Sequence, residues 1–164
     1  VSGVRIRPAT EADVDALDAM LRALSEHLGD HDLHTGNAGA LRRHGPWGTG
    51  FFEALIAEAG ADACGMSLYF KHFSTLRGVP GVYVQDLWIA PDQRGSGLGR
   101  RLLAAVAREA AERWGAAYLS LMANRHNSGA VRFYDRLGFG AYADDLPMGL
   151  AGERFARLAR EGAA

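Results

Sequence analysis

The stretch Gln93-Arg94-Gly95-Ser96-Gly97-Leu98-Gly99-Arg100-Arg101 decides how the rest of the chain is read. It follows an apolar run that stops at Pro91, and it heads a segment in which Leu98, Leu102, Leu103, Val106 and Ala110 recur at helical spacing. Glycines at such a turn let the backbone approach a ligand closely, and the unpaired N–H groups of a helix start point at an anion. Arg94, Arg100 and Arg101 add positive charge around the same turn, so a diphosphate is its natural occupant.

Three phosphate-binding turns compete for this stretch. A P-loop needs a Gly-Lys-Ser/Thr ending, and no lysine is present. A dinucleotide fingerprint needs Gly-x-Gly-x-x-Gly and an acidic residue closing a second strand about 20 residues on. Here the spacing is Gly-x-Gly-x-Gly, and Glu109 and Glu112 in the corresponding region still belong to the helical segment. The third pattern, Arg-x-x-Gly-x-Gly, is met by Arg94, Gly97 and Gly99. A flexible strand-to-helix turn without a ligand is the plain alternative.

Upstream, Val4-Arg5-Ile6-Arg7 alternates apolar and charged residues and stops at Pro8, as a short strand does. Thr10 is placed to cap a helix whose first turn holds Glu11 and Asp13. Val14, Leu17, Leu21, Leu24 and Leu28 form its apolar stripe, and Gly29 is its stop. Asp30 to Gly50 loses all periodicity apart from a short helical stretch around Ala40 to Arg43. It is either a surface loop or a segment shaped around a ligand. Strand-like runs follow at Phe51 to Glu58, Ala63 to Phe73 and Gly81 to Ala90, punctuated by Gly60 and by Arg77-Gly78-Val79-Pro80. Downstream of the helix ending near Trp114-Gly115, Tyr118 to Met122 returns to strand. Ser128 to Leu137 is a short helix closed by Gly138, Phe139 to Leu150 holds a last strand or strand pair, and Glu153 to Arg160 is helix-compatible. The order predicts one mixed α/β layer in a single domain spanning 1–164.

A second motif joins the first. Asn127-Ser128-Gly129-Ala130-Val131-Arg132-Phe133-Tyr134-Asp135-Arg136-Leu137-Gly138-Phe139 fits Asn-x-x-Ala-x-x-Phe-Tyr-x-x-x-Gly-Phe. With the Arg-x-x-Gly-x-Gly turn in register ahead of it, the chain from Val4 to about Phe139 resembles the GCN5-related N-acetyltransferase (GNAT) family. The wording of Phe51 to Glu58, Leu68-Tyr69-Phe70, Ser74-Thr75 and Val82 to Leu87 is most similar to the diamine (spermidine/spermine) acetyltransferase branch. That branch usually has Glu-Asp where this chain has Gln85-Asp86, and glutamine can neither neutralise an ammonium nor take its proton.

The resemblance implies the GNAT fold: a central mixed, mostly antiparallel, splayed sheet flanked by helices. It implies acetyl-CoA as co-substrate and direct attack of an amine on its thioester, without a covalent enzyme intermediate or a metal. Cofactor contacts are expected from Leu87, Trp88 and Ile89 along the pantetheine arm and from Arg94, Gly95, Ser96, Gly97, Leu98, Gly99 and Arg100 at the diphosphate. Asn127, Ala130 and Arg136 complete the expected set, with a plain helix cap as the other reading of Asn127 and the core as the other reading of Trp88. Tyr134 is the candidate general acid for the thiolate, since a phenol with a pKa of about 10 stays protonated at neutral pH. A buried tyrosine with a bonded hydroxyl is its structural alternative. Asp86, Glu53 or a water chain between them is expected to deprotonate the amine, with Gln85 and Glu53 as acceptor contacts. Strict alternation puts Gln85 and Asp86 on opposite sheet faces, leaving open which one meets the acceptor.

The acceptor expected is a small primary amine of diamine or amino-acid-like type, over which the segment Pro46 to Phe51 closes. Acetylation of a protein N-terminus or lysine is the alternative within enzymes, and a non-catalytic acyl-CoA-binding protein is the alternative outside them. A formal net charge of −1 over 164 residues removes the case for a generic nucleic-acid binder. No apolar run has the length of a membrane span, and Val1 to Asp13 is too charged for a signal peptide. The single cysteine, Cys64, excludes an internal disulfide and fits a cytoplasmic location. His27, His31 and His34 beside Asp30 are spaced for a metal only if the first helix continued past Gly29, so solvated surface or acceptor contact is favoured. A homodimer is what the resemblance implies, with Glu153 to Arg160 as candidate contact.

Overall fold

In a computed structural model of the chain, residues 3–142, 145 and 147–161 are described. They fall into two compact units, Val1–Val131 and Arg132–Ala164. The first unit contains strand β1 (Val4–Pro8), helices α1 (Val14–Leu28) and α2 (Ala38–His44), strands β2 (Glu53–Ala59), β3 (Asp62–Ser74) and β4 (Val79–Ile89), helix α3 (Leu98–Trp114) and strand β5 (Leu119–Leu121). Helix α4 (Ser128–Leu137) begins in it, and α5 (Gly152–Glu161) lies in the second unit.

The five strands make one sheet in the order β1-β2-β3-β4-β5, antiparallel except for the parallel pair β4-β5. Gly60 (φ +67°) and Gly78 (φ +67°) take the left-handed conformation that the two hairpin turns require. The strand that follows the second turn starts at Val79 and takes in Pro80, two residues the punctuation had assigned to the turn.

Arg7 locks the start of the chain. Its guanidinium bonds Asp13 through two 2.7 Å hydrogen bonds and also pairs with Glu58 on the neighbouring strand. That pairing holds the Asp13 carboxyl well below the usual carboxylate range. Thr10 and Asp13 form a reciprocal capping box over the short 3-10 turn at Glu11–Asp13, which leads into α1. Gly29 (φ +80°) ends α1 as expected. Of the predicted stripe, Val14 and Leu17 are buried together with Met20, while Leu21 and Leu24 pack at its margin.

The sheet is covered on both faces. On one, Ala54, Ile56, Met66 and Leu68 pack with Val14, Leu17 and Met20 of α1 and Leu41 of α2. On the other, α3 packs over β3 and β4, burying Leu98, Leu102, Leu103, Val106 and Ala110 as the helical spacing predicted. Each leucine or valine side chain among them contributes about 1.5–3 kcal/mol on removal from water. Trp47 packs against the α1 side of the core, and the turn around it folds back on α2 through Phe51 N–H to the His44 carbonyl at 2.9 Å. The segment expected to close over an acceptor is therefore an anchor of the α2 region.

The expected last strand or strand pair at Phe139 to Leu150 does not form among the described residues, and Ala143, Asp144 and Leu146 lie outside them. In the second unit, Phe133, Tyr134 and Phe139 pack ring on ring, with centroids 5.1 and 5.4 Å apart. The apolar residues of the 139–150 run thus include one that folds back on its own helix. Helix α5 leaves Phe155 and Leu158 exposed.

Candidate active site

Strand β4 changes partners half-way along its length. Val82, Tyr83 and Val84 pair with Leu119, Ser120 and Leu121 of β5, and no residue beyond Val84 does. Gln85 to Ile89 therefore have β3 on one side and no strand on the other among the described residues. A strand edge without a partner offers free N–H and C=O groups to an extended ligand arm. Leu87, Trp88 and Ile89 all lie on this free stretch.

The register slips where the strands part. Leu68 pairs with Asp86 and Tyr69 with Val84, which leaves Gln85 unpaired as a bulge. Simple alternation, used to put Gln85 and Asp86 on opposite faces, breaks at this residue. Gln85 is exposed, whereas Asp86 is half-buried and shares a face with Leu68, Met66 and Trp88. Tyr83 and Phe70 are paired on that same face, their rings stacked 5.0 Å apart. Trp88 packs against the α1-side core, so its ring has the core role of the two expected.

Burial pushes the Asp86 carboxyl up from the usual 3.8 to about 6, and the nearby His34 works against that rise. The Asp86 charge in turn helps burial to push the Tyr83 hydroxyl upward. Sequence reasoning did not assign Tyr83 or Phe70 a role, although both stand in the stretches quoted for the family likeness. His34 was visible only as a member of a histidine cluster. That cluster does not assemble: His31 pairs with Asp32 at 3.2 Å, His27 is exposed, and no group of three His, Cys, Asp or Glu side chains is placed to hold a metal among the described residues.

Glu53 is not part of this group. Its register partner is Tyr69, which puts it on the α3 face, opposite Asp86. There its carboxylate takes a 2.8 Å hydrogen bond from Arg113, which also bonds Glu109 at 2.7 Å. A water chain joining Glu53 to Asp86 would have to cross the sheet.

The glycine-rich turn follows β4 through a short 3-10 turn at Pro91–Gln93. Gly95 (φ +76°) and Gly97 (φ +84°) are both left-handed, and a Cβ on either would meet nothing within 4 Å. The first helical hydrogen bond of α3 runs from Arg101 N–H to the Gly97 carbonyl at 3.1 Å, so the amides of Leu98, Gly99 and Arg100 have no acceptor within the helix. The Leu98 side chain is core, and only its backbone belongs to the turn. Ser96 Oγ donates to the Gln93 carbonyl at 2.7 Å and Arg94 Nε to the Ile89 carbonyl at 3.1 Å, which fix the loop. Arg100 is exposed; Arg101 is turned away, donating to the Val4 carbonyl at 2.6 Å. Amides without an acceptor in the helix, beside open space at Gly95 and Gly97, fit a diphosphate.

At α4, Asn127 Oδ1 accepts a hydrogen bond from Ala130 N–H at 3.1 Å, so its observed role is the helix cap. Ala130 is half-buried in the first turn. In the second unit Arg136 is exposed, and burial pushes the Tyr134 hydroxyl above the usual tyrosine value. Cys64 is buried, which raises its thiol and makes it a poor nucleophile.

A strand edge opened by a parted pair is thus followed, through a glycine-rich turn, by a helix start whose first amides have no acceptor within the helix. Residues 18–139 match the acetyltransferase (GNAT) family, and the chain belongs to it. It is an acetyl-CoA-dependent N-acetyltransferase. A thialysine N-epsilon-acetyltransferase of Bos taurus is 31% identical over 143 residues, covering 82% of this chain and 83% of that one. Solved structures share the fold: an integron cassette protein from the mobile metagenome of V. cholerae has a TM-score of 0.76 at 19% identity, covering 96% of this chain and 98% of that one. An aminoglycoside acetyltransferase from an uncultured soil sample has a TM-score of 0.75 at 15% identity, covering 92% and 97%. No helix among the described residues is long and apolar enough to cross a membrane.

Proposed function

We propose that the chain acetylates the primary amine of a small molecule bound on the Asp86 face of β4. The observation that carries this reading is the coincidence of the Gln85 bulge with the end of β5 pairing. It sets a half-buried carboxyl and two aromatic rings beside a free strand edge. The Bos taurus relative's name, a thialysine acetyltransferase, favours a small acceptor over a protein.

Acetyl-CoA supplies an activated thioester. The residues that would hold it are the backbone groups of Leu87, Trp88 and Ile89, the free amides from Leu98 to Arg100, and Arg94 and Arg100 by charge; Asn127, Ala130 and Arg136 carry over from the motif alone. Asp86 takes the proton of the incoming ammonium: a group ionising near 6 is a carboxylate at neutral pH, yet a better base than an ordinary aspartate. With acetyl-CoA bound, the amine nitrogen would bond the acetyl carbon as the C–S bond breaks, and Tyr134 would give its proton to the thiolate sulfur. The second proton shed by the nitrogen as it becomes an amide would restore the Tyr134 phenol. Its raised hydroxyl is protonated at neutral pH, as that role needs. Phe70 and Tyr83 keep water from the amine, and a positioned neutral amine needs no covalent enzyme intermediate.

The test is thiol release from acetyl-CoA with a panel of small primary amines beside peptides bearing a free N-terminus or a lysine. Turnover of small amines well above peptides is expected. Turnover of peptides alone would assign the chain to protein acetylation, and none with any acceptor would leave an acyl-CoA-binding protein.

A further inference from the structure

His34 ends the short 3-10 turn at His31–Leu33 in the segment between α1 and α2. Its Nε2 is buried and has no hydrogen-bond partner in the protein. A buried polar atom left without a partner costs about 1–3 kcal/mol, so native structures answer it with water or a ligand. The backbone at Gly36 lies beside the ring: a Cβ there would be in van der Waals contact with Nε2 at 3.5 Å, and the Gly36 carbonyl accepts a hydrogen bond from Arg22 at 3.4 Å.

We propose that His34 is a specificity-determining residue that donates a hydrogen bond to a carboxylate of the acceptor, so that the site takes amino acids with a side-chain amine in preference to diamines. The inference rests on the acetyltransferase reading and on acceptor binding beside Asp86. Two further observations point the same way. His34 bears electrostatically on Asp86, no hydrogen bond joins the two, and His34 Nε2 keeps its bonding capacity uncommitted. Gln85, where the family likeness expects a second acid, is neutral and exposed. The acceptor ammonium meets the Asp86 carboxylate, and the second ammonium of a diamine would meet an imidazole in place of a second acid. A carboxylate at that position meets a donor instead. Phe70 and Tyr83 supply the apolar wall for the methylenes between the two groups.

Lysine, lysinamide and 1,5-diaminopentane share an amine on the same carbon chain and differ in the carboxylate. Wild-type kcat/KM is expected to favour lysine over the other two by about tenfold or more, since a site built to bond a polar group rejects analogues lacking it. His34→Ala should lose about tenfold or more on lysine and less than about threefold on the diamine. His34→Gln, whose amide nitrogen has a reach similar to Nε2, should recover part of the loss on lysine alone. Calorimetry of the same three compounds with the CoA-bound protein reads the preference without turnover. If no amine is acetylated, the acetyl-transfer reading fails, while the binding preference and its dependence on His34 still decide this proposal. Equal losses on lysine and the diamine, no wild-type preference, or no binding of lysine would each overturn it.

Discussion

Replacing Asp86 by Asn should cost activity and raise stability, with the gain in stability confined to the upper end of the pH range. The folded protein lifts this carboxyl from 3.8 to about 6 through burial. A raised carboxyl binds its proton more tightly when folded, so its contribution to stability is full below 3.8 and is lost as pH rises through about 6. The interval corresponds to about 3 kcal/mol at about 1.36 kcal/mol per pH unit, and partial access of water reduces it to about 1–3 kcal/mol. Asn is nearly isosteric and carries no charge to desolvate. At pH 8 the variant should therefore melt about 2–12 °C above wild type, given about 2–4 °C per kcal/mol for a chain of this size. At pH 4 the two should melt together. Over the same range kcat/KM should fall about 10²- to 10⁴-fold at pH 8, the usual contribution of a general base. Thermal melts of both proteins at the two pH values, with thiol-release kinetics on the same preparations, measure all four quantities. An Asp86→Asn protein that is less stable than wild type at pH 8 would show a carboxylate stabilised by partners, and the desolvation argument would be wrong.

Other substitutions test other parts of the site. Gly97→Val should lower acetyl-CoA affinity more than about tenfold by filling the space left for the diphosphate. Gly115→Val, at a left-handed glycine (φ +69°) past the other end of α3 that is equally open, carries similar backbone strain and should leave affinity unchanged; calorimetric titration that finds both variants alike removes the turn from the site. Tyr134→Phe should reduce kcat by about 10²- to 10⁴-fold with acetyl-CoA affinity little changed. A loss of about 1–3 kcal/mol in stability without a matching fall in kcat would instead mark a structural hydroxyl. Gly81→Ala would put a Cβ 2.2 Å from Cζ of Tyr118, whose hydroxyl is hydrogen-bonded to His72 Nδ1 at 2.6 Å. Overpacking of this kind costs about 1–3 kcal/mol, and an unchanged melting temperature would show that the ring moves freely.

Much of this arrangement is legible in the residues because it is local. The strands carry alternation, the helices carry a period of 3.6, and the turns between them carry glycines that must be left-handed at Gly60, Gly78 and Gly97. The glycine-rich turn belongs to the same class: its information lies within nine consecutive residues. What escaped is what depends on register or on distance along the chain. A bulge at Gln85 reverses the facing of every residue after it, and nothing in Val84-Gln85-Asp86 distinguishes a bulged strand from a regular one. Glu53 has the residue type of an acceptor contact, but its ion pair with Arg113 joins a strand to a helix far downstream. His34 stood out within its cluster, yet its relevant neighbour is Asp86 across the fold. The run from Phe139 to Leu150 has apolar residues at strand-like density, but Phe139 packs on Tyr134 and the rest finds no ladder partner among the described residues. Apolar density alone cannot tell a strand from a segment that packs on its own helix.

The central claim is transfer of an acetyl group directly from acetyl-CoA to an amine held beside Asp86. Mass spectrometry of acceptor and protein together, over a single turnover with acetyl-CoA limiting, tests it most directly. The account predicts one acetylated amine for each thiol released, with no acetyl group on the protein at any time point and product formation suppressed in Asp86→Asn. Thiol released without acetylated amine, or an acetyl-protein species that forms and decays at the rate of turnover, would contradict it.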